Sequence, residues 1–280
     1  MTRQNQRLRT TGVVVAMTMA AMTAGACSDD ATPGQAGSST TSTAGDGAGV
    51  TTTPGKRGDA TAVIDPGDGG RYRPQIDPAR FVERIDNRYF PLTPGASWVY
   101  EGKVDGETER IEVVVTPERR TVLGISAVVV RDTVKLGGKL IEDTFDWYAQ
   151  DLDGNVWYLG EDTKEYENGK VANTKGSWEA GVNGALPGIA MPANPTVAHA
   201  YRQEYYAGEA EDLAEVVRLG ATETVPFGKL DALVVTKEWT PLEPGNVEEK
   251  YYAPGVGLVL EAKVVGGTGR VQLTKFTPGR

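Results

Sequence analysis

Residues 139–159 read KLIEDTFDWYAQDLDGNVWYL, and their periodicity decides the fold. Ile141, Phe145 and Trp147 alternate with Glu142, Thr144 and Asp146. That is the period of a strand, where successive side chains point to opposite faces. Asp151, Asp153 and Gly154 then supply turn chemistry, and apolar residues resume at Val156, so the segment predicts a hairpin. The same alternation recurs outward. Ile111, Val113 and Val115 share one side of a strand, as do Val128, Val130 and Val134. Further runs span Tyr201–Ala207, Leu213–Leu219, Leu230–Trp239, Val247–Tyr252, Leu258–Val265 and Arg270–Phe276. The strings VDGE, LGGK, ENGK, EPGN and GGTG separate them. The expectation is a mainly β domain, one antiparallel sheet of about ten or eleven strands. A sheet that large curls into a barrel, a half-barrel or two packed layers.

Two segments break the pattern. Asp77-Pro78 is a helix start, an N-cap acceptor followed by proline, and Phe81 and Ile85 share a helical face. The spacing predicts one short N-terminal helix over 78–87, ended by Pro91 and Pro94. AGVNGALPGIAMPANPTV, residues 180–197, is apolar but rich in Gly and Pro, and is expected to be a long functional or covering loop.

The N-terminal quarter has a different composition. Arg3, Arg7 and Arg9 precede an uncharged apolar run from Gly12 to Ala24, then the small residues of TAGAC, then Ser28, Asp29 and Asp30. This order describes a secretory signal peptide. With the chain's one cysteine directly after the small residues, it resembles a bacterial lipoprotein signal, which implies lipidation at Cys27. Ala24 stands where that signal usually has leucine. Cleavage after Ala26 by an ordinary signal peptidase remains open, as does an uncleaved anchor, although a span needs roughly 20 apolar residues. Residues 28 to about 70 hold Val50, Val63 and Ile64 as their large apolar side chains. Such a segment cannot offset its chain entropy by burial and is expected to be a disordered tether, its ends roughly 35 Å apart. The expected organisation is a lipoprotein signal peptide at 1–26, lipidated Cys27 and linker at 27–71, and a β-rich domain at 72–280.

Charge narrows the partners. The chain has 280 residues, one cysteine, one histidine and a formal charge of −9. Residues 1–27 carry three arginines and no acid, which leaves 26 basic and 38 acidic residues after them. A net charge of −12 disfavours nucleic acid and anionic headgroups. One histidine, His199, makes zinc chemistry a poor expectation.

Two strings carry a resemblance: YFPLTPGASWVYEG at 89–102 and EEKYYAPGVGLVLE at 248–261. DWYAQDLDGNVWYLGEDT, GSWEAGV and EWTPLEPG add to it, over roughly residues 76–265. The chain resembles a widespread family of exported bacterial proteins, often lipoproteins, whose members have no characterised role. The resemblance implies a β-rich extracytoplasmic domain and supplies no catalytic motif.

Three groups of residues are candidates for chemistry. Asp151, Asp153 and Asn155 place oxygens at alternate positions as calcium loops do, with Asp162 as a distal acid. Val156 sits where such a loop needs glycine, so a plain hairpin turn is the expected reading and Ca2+ the alternative cofactor. Glu142 and Asp146 on one strand face, with Glu204 and Glu238 elsewhere, raise paired-carboxylate glycan hydrolysis. Thirty-eight acids make chance pairs common, and a solvated face is the expected reading. Trp147, Trp157 and Trp239 either fill a core or line a cavity for an apolar ligand in a curled sheet. The leading expectation is a protein anchored on the extracytoplasmic face of the cell membrane through its acyl group. It binds an apolar or amphipathic ligand or supports the envelope, with no catalytic residue assigned. A glycan hydrolase and a calcium-stabilised interaction module are the alternatives.

Overall fold

The computed structural model describes residues 72–280. The signal peptide, Cys27 and the linker lie outside the described residues. A 3-10 turn, Pro78–Arg80, comes first. Strand β1 is Phe81–Val82, β2 is Ser97–Val104, β3 is Glu107–Val122 and β4 is Ile125–Leu136. Next come β5 at Lys139–Asp151, β6 at Val156–Glu167, β7 at Lys170–Asn173 and β8 at Trp178–Glu179. They are followed by β9 at Leu186–Met191, β10 at Ala200–Arg202, β11 at Glu204–Tyr205 and β12 at Leu213–Val225. The last four are β13 at Gly228–Trp239, β14 at Val247–Ala253, β15 at Gly257–Val265 and β16 at Gly269–Thr277.

The strands form one antiparallel, nearly closed barrel-like sheet in the order β10-β12-β13-β14-β15-β16-β2-β3-β4-β5-β6-β9-β11. β1 adds to β5, and β7 and β8 add to β6. The two ends of the path, β10 and β11, are neighbours in the chain with only Gln203 between them. One short extended segment therefore pairs with β12 on one side and β9 on the other. Gly188 on β9 makes this possible. A Cβ there would stand 2.1 Å from the Gln203 carbonyl carbon and 2.5 Å from the Glu204 nitrogen.

The mainly β expectation holds, and two local expectations do not. Of the helix predicted over 78–87, only the first turn forms. Asp77 caps it by accepting from the Ala79 amide at 3.0 Å. Phe81 and Val82 then pair with Asp151 and Gln150, and the Phe81 ring packs edge-on to Trp157 at 6.4 Å. Ladder bonds and ring packing on β5 displace a helix that would be too short to stand alone. The expected loop at 180–197 contains β9, whose residues 187–191 are all buried. A strand buried on both faces shows no alternation, and Pro187 and Gly188 hide it further. The short strands, two to four residues each, account for most of the rest of the excess over ten or eleven.

Hairpins alternate between the two ends of the barrel. The turns at 123–124, 152–155, 226–227 and 254–256 mark an upper end, and those at 105–106, 137–138 and 266–268 a lower end. The segment before β2 crosses the upper end as a strap. The Tyr72 hydroxyl donates to the Pro187 carbonyl at 2.8 Å beside the β9–β11 seam. Asn87 donates to the carbonyls of Gly154 and Pro192, and Gln150 accepts from the Asp86 and Asn87 amides. Phe90 enters the upper mouth, 5.4 Å from the Tyr148 ring and 6.4 Å from that of Tyr252.

The two resemblance strings, some 150 residues apart, are one packed unit here. The Trp98 indole donates to the Val256 carbonyl at 2.7 Å and the Tyr100 hydroxyl to that of Leu258 at 3.0 Å. The Gly255 amide donates to the Arg88 carbonyl at 2.7 Å. Phe90→Ala removes the plug that both strings surround. It should destabilise the domain by about 3–5 kcal/mol in urea unfolding followed by tryptophan emission.

Candidate functional site

Period-two parity decides what the barrel encloses. On β5, Glu142, Thr144, Asp146 and Tyr148 face inward, while Ile141, Asp143, Phe145 and Trp147 face outward. Asp146 and Tyr148 are each 0 % exposed. The outer apolar rings are covered by cations, with Arg131 over Phe145 at 5.4 Å and Arg120 over Trp147 at 3.8 Å. The expectation of a solvated carboxylate face is thus corrected. Asp146, Glu204 and Glu238 are buried, and Glu142 is partly buried. Polar residues take the inner face because the lumen supplies them with hydroxyl and ammonium partners, whereas the outer rings gain arginine stacking.

From top to bottom the lumen changes from aromatic to acidic. Tyr148 and Tyr158 stack at 4.9 Å beneath Phe90. Below them the Tyr158 hydroxyl lies 2.8 Å from both Asp146 Oδ1 and Glu161 Oε2. A phenol has one proton, so it donates to one carboxyl and accepts from the other. One of the two must therefore carry a proton. Burial, partly offset by the Tyr158 bond, raises Asp146 well above the usual carboxylate range. Across the lumen Lys250 Nζ sits 2.9 Å from Glu238 Oε2 and 3.7 Å from Glu261 Oε2. Burial pulls this ammonium down, but Glu238, Glu261 and Glu248 together hold it above its ordinary value. Thr236 and Tyr252 donate to the other oxygen of Glu238.

The lower lumen is more acidic. Burial, with repulsion from Glu248 and Glu142, pushes Glu109 up to about 8. Burial likewise takes Glu142 to about 7, against a bond from Thr144. Glu261 is raised well above its usual range, first by burial and then by Glu248. At the seam the Trp178 indole donates to Glu204 at 2.8 Å, and burial raises that carboxyl too.

The three tryptophans expected to bind a ligand do not meet in the lumen. Trp147 lies under Arg120, Trp157 under Phe81, and Trp239 under Lys237 at 4.8 Å, all on the outer face by parity. The DLDGN segment is a hydrogen-bonded turn. Asp151 Oδ1 accepts from the amides of Asp153 and Asn155, and Oδ2 from the Asn155 side chain and the Trp157 indole. Asn155 Oδ1 accepts from the Ala193 amide, and Asp153 pairs with Arg80 at 2.7 Å. The oxygens considered for calcium are thus engaged in fixing the turn. Among the described residues no group of three or more His, Cys, Asp or Glu is placed to hold a metal ion. His199 is partly buried, with its ring 5.8 Å from that of Tyr201.

Sequence reading missed Glu109 and Lys250, and gave Tyr158 only an aromatic core or cavity role, not the sharing of its hydroxyl between two carboxyls. Glu109 lies near the start of β3 among other charged residues, and Lys250 follows two glutamates, so neither stands out locally. Tyr158 lies in an all-apolar run beside a bulge that reverses parity between it and Glu161.

No protein-family model matches the chain. No curated protein matches it. A solved structure is similar, a "putative lipoprotein" from Parabacteroides distasonis ATCC 8503. It is 14% identical with a TM-score of 0.39, over 68% of this chain and 99% of that one.

Tyr158→Phe keeps the ring stack and removes the hydroxyl shared by Asp146 and Glu161. Thermal unfolding at neutral pH should show a loss of about 1–3 kcal/mol. Asp151→Ala removes the acceptor of the Trp157 indole. Tryptophan emission should shift to the red as the 151–155 turn loosens, and the shift should be absent in a Trp157→Phe background.

Proposed function

We propose that this chain is an extracytoplasmic lipoprotein held at the cell membrane through Cys27, and that its β domain is a non-catalytic support or interaction module of the envelope. The anchor rests on the order of arginines, apolar run, small residues and cysteine at 1–27. The module reading is carried by one observation, the filling of the lumen by side chains. The apolar cavity between Phe90, Leu92, Trp98, Tyr100 and Leu258 has about 30 Å³. The polar one beside Glu248, Glu261 and Lys263 has about 10 Å³. Small-molecule pockets measure roughly 300–1,000 Å³. A carrier for an apolar ligand has correspondingly less support. So does a glycan hydrolase, because Asp146 and Glu161 are 0 % and 1 % exposed and share a tyrosine hydroxyl in place of a cleft.

Two measurements test this reading. Cys27→Ser should release the protein from membranes or stall its processing, seen by fractionation and N-terminal mass. Unchanged membrane association would defeat the anchor. An apolar fluorescent probe should show no saturable binding to the purified protein. One saturable site with a shift in tryptophan emission would restore the carrier.

A further inference from the structure

The lower lumen holds more carboxyl groups than it has cations to neutralise. Glu109 on β3 is 0 % exposed, and neither of its oxygens has a hydrogen-bond partner. Glu142 of β5 faces it, and Glu165 of β6 stands directly across from Glu142. Glu248 of β14 and Glu261 of β15 face it from the other side, with Lys263 beside them. Lys250 of β14 is committed to Glu238 of β13 and to Glu261. The inner-face residues of β2, β4 and β16 at this level, Val104, Val134 and Val271, bring no charge, and one step above them β4 turns a further buried carboxyl, Asp132, toward Thr144 of β5. Like charges placed opposite each other repel, and a buried carboxylate without a partner is not tolerated in a low-dielectric interior.

A proton is the neutralising species that fits. The cavity beside Glu248, Glu261 and Lys263 has about 10 Å³, room for no more than about one water. The side chains there do not converge as metal ligands. We infer that the lower lumen is a pH-responsive lock: carboxyl groups in their protonated form keep the lower end of the barrel closed, and their ionisation loosens the lower ends of β2, β3, β15 and β16. The lock is independent of anchoring at Cys27 and of any partner of the domain.

The direction of the pH effect follows from burial. Glu109 titrates at about 8 and Glu142 at about 7 in the folded domain, against 4.5 for a free glutamate. The folded state therefore holds extra protons between about pH 4.5 and 8, and its stability falls as pH rises across that window. The stabilisation is complete below the unfolded value and is lost as pH passes through 7 to 8.

The test is thermal unfolding of the purified full chain from pH 5.5 to 8.5 at constant ionic strength, with amide exchange followed by mass spectrometry. The melting temperature should fall by at least about 5 °C over that range. Amide protection of residues 102–111 and 261–271 should be lost before that of 145–159. Glu109→Gln, a neutral isostere of the acid form, should make the fall measurably smaller, the remainder coming from the other buried carboxyls such as Glu142 and Glu261. If that variant does not fold, the wild-type melting and exchange profiles decide. A flat melting temperature, or protection lost evenly over the barrel, would overturn the lock. A saturable rise in melting temperature on adding sodium or ammonium chloride at pH 8.5 would overturn it differently, by assigning the balancing charge to a bound cation.

Discussion

A sheet this long must either leave two unpaired edges or bring them together, and here they meet around a single residue, Gln203. The rest of the structure depends on that seam. It exists because Gly188 lets the backbone of 203–204 lie against β9 where any Cβ would collide. The Tyr72 hydroxyl donates to Pro187 beside it, and the Trp178 indole reaches Glu204 within it. Closure leaves fewer exposed ladder groups, which limits edge-to-edge association. It also creates an inside, and the chemistry of this protein lies there.

What the closed sheet encloses is ordered along the barrel axis. The upper end is apolar and aromatic, sealed by a strap whose Phe90 sits against Tyr148 and Tyr252. The middle is a network in which Tyr158 serves two carboxyls and Lys250 serves two more. The lower end is acidic. Each layer constrains the next. The plug excludes water from the tyrosines, the low dielectric raises the carboxyls beneath them, and their protonation lets like-charged residues share one lumen. The two strings that carry the family resemblance build the top of this arrangement. The Trp98 and Tyr100 side chains of one bond to the Val256 and Leu258 carbonyls of the other.

The sequence by itself determined the strand class, because period-two alternation and Asp/Gly turns are local signals. It also determined the cap at Asp77, which accepts from Ala79, and the DLDGN turn, where the bonds to Asp151 run between residues at most six apart. The order of charge, apolar run and cysteine at 1–27 is likewise a linear signal. Only the tertiary structure decided which face of each strand turned inward. Alternation shows that two faces differ, but here Phe145 and Trp147 are covered outside by arginines while Glu142 and Asp146 go inside, so hydrophobicity alone points the wrong way. It also decided that Phe81 pairs with Asp151 rather than continuing a helix, and that residues 186–191 form a strand between β6 and β11. The carboxyl groups of the lumen are gathered from strands up to 150 residues apart. Their raised affinity for protons arises from burial and mutual repulsion, which depend on closure of the sheet and are not written in any local stretch of sequence.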